Sequence, residues 1–337
     1  MTPTLHGLRA AFLAGQLPKP AYIAAMHARH QLLHEYAAFL PSSGVAAIEI
    51  THRGVVAVLR DGLRFLCDVR DQRIAPVEIL NFGSHEAAEL EVATSLLGPN
   101  GTAFDVGANV GWWAISLATR RPGAHVLAFE PLATTFAHLR ANLALNGVPE
   151  RVVHAVHVGL DNEDGEAVLY FRPEGSGNAS FVDLAGGSER VACTVRRLDT
   201  VVAEGERLPY LTRGLDLVKI DVEGAEARVL LGGLETIRRH RPAIMAELLR
   251  KWTARFGYHP NDVIAFLAEE GYRCFVVVSS GAAAARAPAA SDPLQGRSDA
   301  ERLREVLVVD DATVETNFFF LHRERHAHDI ERLQRAP

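Results

Sequence analysis

At 337 residues the chain is long enough for one large domain with additions, or for two modest ones. Hydrophobic content of 48% with 23% charged residues belongs to an ordinary soluble globular protein, and a formal net charge of -6 argues against a phosphate-rich polymer as main substrate. Cys67, Cys193 and Cys274 stand far apart, with neither metal-ligand spacing nor the even number of a disulfide framework, and no stretch approaches the ~20 apolar residues of a membrane span.

In chain order, Leu5–Leu40 reads as one or two helices broken at Pro18 and Pro20. Ala46–Leu59 and Leu63–Arg70 read as two strands around an Asp61–Gly62 turn. Ser84–Leu97 reads as a helix capped by Ser84 and stopped at Gly98-Pro99. From Gly101 the pattern alternates. Strands are expected at Thr102–Asp105, His125–Phe129, Val152–Val158, Leu215–Ile220, Pro242–Glu247, Tyr272–Val278 and Asn317–His322. Helices are expected at Trp112–Thr119, Ala133–Leu145, Glu226–His240 and Asn261–Glu270. Such alternation gives an α/β protein with a parallel sheet covered on both faces. No convincing crossover helix separates the last two strands, so the final strand is expected to run antiparallel. Glu166–Phe171 and Glu189–Val195 read as paired strands around a Gly/Ser/Asn-rich loop, Pro173–Ser180. Ser279–Asp299 reads as a mobile loop or insertion, either a substrate lid or an inert surface segment. The expected division is a helical and hairpin cap over residues 1–83 and a main domain over 84–337.

The most informative run is FDVGANVG, Phe104–Gly111. An apolar strand ends on Asp105, and a turn of Gly107, Ala108 and Gly111 opens an amphipathic helix. A second strand then ends on Glu130. Strand, small-residue turn, helix and acidic strand end suit a nucleoside: glycines admit close approach, the helix N-terminus offers free N–H groups, and a carboxylate accepts ribose hydroxyls. A dinucleotide fingerprint would place three glycines directly after the strand. Here Asp105, Gly107, Asn109 and Gly111 alternate, which resembles the first motif of class I S-adenosylmethionine-dependent methyltransferases, with Asn109 at the usual middle glycine. A sulfonium with an amino-acid tail has no pyrophosphate, so an acidic residue near the turn is useful.

FDVGANVGWWA, FEP at Phe129–Pro131, NLALNG at Asn142–Gly147, RRLDT at Arg196–Thr200 and KIDVEGAE at Lys219–Glu226 together resemble the FkbM family of methyltransferases. The likeness runs from about Ser84 to Leu249. It implies a Rossmann-like class I methyltransferase fold of sheet order 3-2-1-4-5-7-6 and S-adenosyl-L-methionine as cofactor. It also implies methyl transfer to oxygen on polyketide or sugar-containing metabolites. On this reading Asp105, Gly107, Asn109 and Gly111 line the methionine end and Glu130 holds the ribose. Asp161 either accepts from adenine or belongs to a solvated turn.

O-methylation requires removal of a hydroxyl proton whose pKa lies far above 7, so a carboxylate, an imidazole or a metal must help. Asp221 ends the fourth strand, with Glu223 beyond it and Glu247 ending the fifth. Asp221 and Glu223 suit a base or divalent-metal ligands; a carboxylate cap on the next helix is the plainer alternative. Lys219 would neutralise Asp221 or Glu130. Arg250, Lys251 and Trp252 stand where a polar substrate would arrive. One ring of Trp112-Trp113 is expected in the core and the other at the methionine pocket. His27, His30, His34, His322, His326 and His328 read as solvated faces. The expected substrate is a small molecule or glycan, free or carrier-bound, in the cytoplasm, with no nucleic acid or membrane partner and a homodimer left open. A nicotinamide-dependent oxidoreductase, a nucleic-acid methyltransferase and a non-catalytic nucleoside-binding protein are the rivals.

Overall fold

The computed structural model describes residues 4–68, 70–184, 186–205, 214–278 and 302–335; the expected loop at Ser279–Asp299 lies outside them. The described strands are β1 (Val45–Thr51), β2 (Gly54–Leu59), β3 (Arg64–Cys67), β4 (Thr102–Val106), β5 (His125–Phe129), β6 (Val153–Val156), β7 (Gly159–Asp161), β8 (Gly165–Arg172), β9 (Gly175–Ser180), β10 (Glu189–Arg197), β11 (Leu217–Ile220), β12 (Ala243–Glu247), β13 (Tyr272–Val278), β14 (Arg302–Glu305) and β15 (Asn317–His322). The main sheet runs β6-β5-β4-β11-β12-β15-β13-β14. Numbered by position, this is the expected 3-2-1-4-5-7-6 order with β14 added at one edge. β15 is antiparallel to both β12 and β13, as the missing crossover helix required.

Alternation along each strand sends side chains to two separate cores. Phe319 and Leu321 of β15 join a cluster with Phe65, Trp112, Leu117 and Phe275 on one face. Phe318 and Phe320 pack with Phe104, Phe129 and Ile244 on the other. The strand is thus apolar from Phe318 to Leu321 because both of its faces are covered. Both rings of Trp112-Trp113 are buried, where one was expected in the core. Trp113 donates to Glu86 Oε2 at 2.7 Å.

Several local expectations are corrected. Ala46–Leu59 is two strands, because His52-Arg53 turns the chain between β1 and β2. The helix expected from Ser84 begins at Ala87, with Glu86 in the left-handed region at φ 46. Glu226–His240 divides into helices Glu226–Gly232 and Leu234–His240. At the break, a Cβ on Gly232 would lie 2.1 Å from the Asp161 carbonyl oxygen, so the helix can approach β7 only through a glycine. The Pro173–Ser180 loop is largely a strand: β9 pairs antiparallel with β8, which backbone hydrogen bonds allow whatever the side chains. Helices Ala75–Phe82 and Leu198–Gly205 add to the expected set. His322 and His326 are buried rather than solvated, His326 Nδ1 accepting from the His322 amide at 3.0 Å. Burial holds His326 down at about 4. Among the described residues, no helix is long and apolar enough to cross a membrane.

The N-terminal three-stranded sheet is sewn to the main body by the asparagines of NLALNG. Asn142 is fully buried on helix Ala133–Leu145. Its Oδ1 accepts from Leu66 N at 2.9 Å and its Nδ2 donates to Val110 O at 2.8 Å. Asn146 accepts from Arg64 N and donates to Arg64 O. One side chain therefore links β3, the helix and the turn after β4. Asn142→Ala should lower unfolding free energy by about 3 kcal/mol, since two buried backbone groups lose their partners. Urea denaturation followed by circular dichroism checks this, and a loss under about 1 kcal/mol would remove the linking role.

Candidate active site

The carboxyl ends of β4, β5, β11 and β12 meet at one edge of the sheet, where the sequence motifs gather. A cleft there is lined by Gly107, Asn109, Phe129, Glu130, Gly159, Leu160, Asp221, Val222 and Glu223, with Gly177, Ala179, Ser180 and Phe181 closing it from β9 and beyond. Gly107 holds φ 75, and a Cβ there would fall 1.8 Å from the Asp221 carbonyl oxygen. Only glycine lets the turn after β4 lie against the turn after β11. Asn109 is also left-handed, at φ 49, which its short polar side chain tolerates. Its amide donates to Glu130 Oε2 at 3.0 Å, while its own Oδ1 is buried without a hydrogen-bond partner. Gly111 caps helix Trp112–Arg120 at φ 90, behind the cleft lining.

Glu130 accepts Asn109 N on one oxygen and Leu132 N, at 2.8 Å, on the other. Burial pushes it up to about 7 against these two donors. Each oxygen keeps a lone pair for a ligand hydroxyl. Asp105 lies beneath the turn rather than on the cleft surface: it is wholly buried, accepts Ala114 N at 3.0 Å, and faces Lys219 Nζ at 3.5 Å. Burial pushes Asp105 above the usual carboxylate range, with Lys219 acting against it. Asp161 is buried, with both oxygens on the Arg228 guanidinium at 2.6 Å, and it is Gly159 and Leu160 that line the cleft at this strand. Burial and that pairing exclude the solvated turn.

Lys219 is 3% exposed and joins three groups: Asp221 Oδ2 at 3.2 Å, Asp105 Oδ1 at 3.5 Å and the Gly107 carbonyl at 3.1 Å. Burial works to lower its pKa, and the Asp221 and Asp105 charges outweigh it, so the ammonium is held well above its usual range. Glu223 sits in the left-handed region at φ 53, one residue before Gly224. Burial and the Asp221 charge raise Glu223 well above the ordinary range. Burial, then Asp221 and Glu223, pushes Glu247 up to about 10. Asp221, Glu223 and Glu247 are thus brought together, each with a carboxylate oxygen within 4.8 Å of the others.

Glu226, read from the sequence only as a carboxylate complementing the dipole of the next helix, supports the acidic group together with Tyr258 and Ser180. Glu226 Oε1 accepts from Val222 N and Gly224 N, bracing the turn that carries Asp221 and Glu223. Tyr258 OH lies 2.8 Å from the Gly224 carbonyl and 2.9 Å from Glu226 Oε2. A phenol has one proton, so when it donates to the carbonyl the Glu226 contact needs a carboxyl proton. Burial agrees, pushing Glu226 up to about 7. The position of Glu226 in KIDVEGAE was the available signal; nothing in the sequence tied Tyr258 to it. Ser180 Oγ donates to the Glu223 carbonyl at 2.8 Å and had no sequence signal.

An acid whose folded pKa is raised stabilises the fold below its unfolded value and loses that contribution as pH rises through the folded one. Glu226 should therefore cost up to about 3 kcal/mol between pH 4.5 and 8. Glu226→Gln keeps an acceptor for the two amides and a donor for Tyr258. Its melting temperature should fall less than that of the wild type from pH 5 to pH 8, by several degrees. Parallel pH profiles for the two proteins would refute the protonated brace.

A family model described as the Methyltransferase FkbM domain matches residues 105–274, half of the chain. Methyltransferase sdnD of Sordaria araneosa is 30% identical over 193 residues, covering 50% of this chain and 72% of that protein. The 31-O-demethyl-FK506 methyltransferase FkbM of Streptomyces tacrolimicus is 32% identical over 168 residues, 40% of this chain and 60% of that protein. The 2-O-methyltransferase NoeI of Sinorhizobium fredii is 27% identical over 168 residues, 45% of this chain and 65% of that protein. The chain thus spans less than two thirds of the last two. With the sheet order, the turn and the acidic strand ends in place, the chain belongs to the FkbM methyltransferase family and is an S-adenosylmethionine-dependent methyltransferase.

Proposed function

We propose that the protein transfers a methyl group to a hydroxyl of a small or medium metabolite, a sugar-containing compound or a carrier-bound intermediate. The observation that carries this reading is the convergence of Asp221, Glu223 and Glu247 beside the cleft that suits the cofactor. Two relatives bear names that specify O-methyl transfer, which supports oxygen as the acceptor atom.

The residues present fit the cofactor. Gly107 leaves room for close backbone approach, Asn109 Oδ1 is a buried acceptor with no partner, and Glu130 retains lone pairs for a ribose. An acid-rich wall suits a cationic ligand. When bound, S-adenosylmethionine supplies an electrophilic methyl on a sulfonium and leaves as a neutral thioether. The proton of an acceptor hydroxyl would pass to a carboxylate of this chain. Asp221 is the base in this reading. Its side chain is partly exposed, and Lys219 orients it through Oδ2.

The cleft holds about 50 Å³ of free space, below the roughly 300 Å³ at which small-molecule sites begin. Its outer wall is β9, an edge strand whose pairing with β8 is irregular. A groove of about 640 Å³ bordered by Tyr170, Arg172, Asn178, Lys251 and Trp252 lies along the same hairpin. Lifting the β8–β9 hairpin would widen the cleft for the cofactor and join it to this groove. The groove's aromatic and cationic side chains suit a polar, sugar-like or carboxylate-bearing acceptor.

Glu130→Ala should weaken S-adenosylhomocysteine binding by about 100-fold in isothermal titration, the value of two hydrogen bonds to a charged group. Binding at wild-type strength would remove Glu130 as the ribose ligand. Asp221→Asn should cut methyl transfer to an alcohol acceptor by at least about 100-fold while S-adenosylhomocysteine affinity stays within about threefold. Unchanged turnover would exclude Asp221 as the base.

A further inference from the structure

The carboxylates around the reaction corner outnumber Lys219 and Lys251, the lysines whose charge acts on Glu223. Lys219 engages Asp221 through one oxygen, Oδ2. Glu223 Oε2 is buried with no hydrogen-bond partner. Glu247 ends β12, and the register of β11 on β12 pairs Ile220 with Ala246, which sets Asp221 and Glu247 side by side at the strand ends. One oxygen from each of Asp221, Glu223 and Glu247 lies within 4.8 Å of the other two. Oxygens sharing one divalent ion at about 2.0–2.6 Å stand no more than roughly 4–5 Å apart. The observed spacing is therefore that of ligands around a single ion. An oxygen-only donor set of three negative charges selects a hard cation over zinc or copper.

We propose that Asp221, Glu223 and Glu247 bind one divalent hard cation, Mg²⁺ or Mn²⁺. The three carboxylates occupy one side of its coordination shell and leave the other side to water or an acceptor oxygen. The buried, unpartnered Glu223 Oε2 is the observation that calls for a ligand beyond simple acidity. The left-handed backbone at Glu223, braced by Glu226, sets that carboxylate toward its two partners. Ion binding stands apart from the hydroxyl-transfer reading. The use of the ion rests on that reading: a hydroxyl bound to it would lose its proton more readily.

The test uses the full chain stripped of metal with a chelator, titrated with Mn²⁺ while free Mn²⁺ is read by electron paramagnetic resonance. Neither cofactor nor acceptor is present. One Mn²⁺ per chain should bind, and Mg²⁺ should displace it. Glu247→Gln should weaken the site by about 10-fold, and Glu223→Gln with Glu247→Gln by about 100-fold or more, because affinity follows the ligand charge count. Circular dichroism establishes that the variants are folded. Adding S-adenosylhomocysteine, which carries no sulfonium, should leave Mn²⁺ binding in place. Absence of a stoichiometric Mn²⁺ site in the wild type overturns the proposal whatever the variants do. Equal binding by the folded double variant overturns the ligand assignment. Failure to methylate alcohols would count against the hydroxyl reading and leave the Mn²⁺ result standing.

Discussion

A single buried ammonium holds the reaction corner together. Lys219 Nζ contacts Asp105 at the end of β4, Asp221 just past the end of β11, and the Gly107 carbonyl in the turn between β4 and its helix. β4 and β11 are hydrogen-bonded neighbours with Lys219 opposite Asp105, so the cation sits where two parallel strands release their chains. A buried ion pair contributes little net stability once desolvation is counted. Its effect here is on geometry. It fixes the turn that approaches the cofactor relative to the turn that carries Asp221, and the 1.8 Å clash that any Cβ on Gly107 would make measures how closely the two are set.

From that clamp follows the arrangement of the remaining charges. Asp105, although its motif position marks it as a ligand, spends its oxygens on Ala114 N and Lys219 and acts from beneath the turn. Glu130 is then the carboxylate left on the cleft surface at the neighbouring strand. On the other side, Lys219 holds Asp221 through Oδ2. Burial first, and then the neighbouring Asp221 and Glu223, hold Glu247 at about 10. Such a wall is costly in isolation and favourable beside a cation, which ties the energetics of the fold to occupancy of the site.

Legibility in the sequence tracks which interactions are local. β5, β13, β15 and helix Ala133–Leu145 fall on the expected residues, because apolar runs and period 3.6 are set by nearby residues meeting a covered sheet. The antiparallel last strand was legible from the absence of a crossover helix. The break at Gly232-Gly233 was not, because its cause is the Asp161 carbonyl on a distant strand. The same holds for Asp161, whose partner Arg228 stands 67 residues away. Buried His322 and His326 escaped because histidine at helical spacing reads as solvated until the packing around it is known. Glu130, Asp221 and Glu247 were legible because strand ends are marked in sequence, and strand ends are where this architecture places ligands.

The β8–β9 hairpin shows why a segment can read as a loop and still matter as structure. Gly175–Ser180 has little propensity for a strand, and its pairing with β8 shifts register between Tyr170 and Arg172. A weak edge strand opens at low cost. A strongly β-branched one in the same place would seal a cleft of about 50 Å³. The ties to the body include the Gln72 amide on the Glu174 carbonyl and the Ser180 hydroxyl on the Glu223 carbonyl. That carbonyl belongs to the turn braced by Glu226 and Tyr258 and is adjacent to the acidic group. Movement of the hairpin is thereby mechanically joined to the backbone of a residue at the reaction corner. Poor strand propensity and small side chains together suit a wall that could yield to a ligand without disturbing the clamp at Lys219.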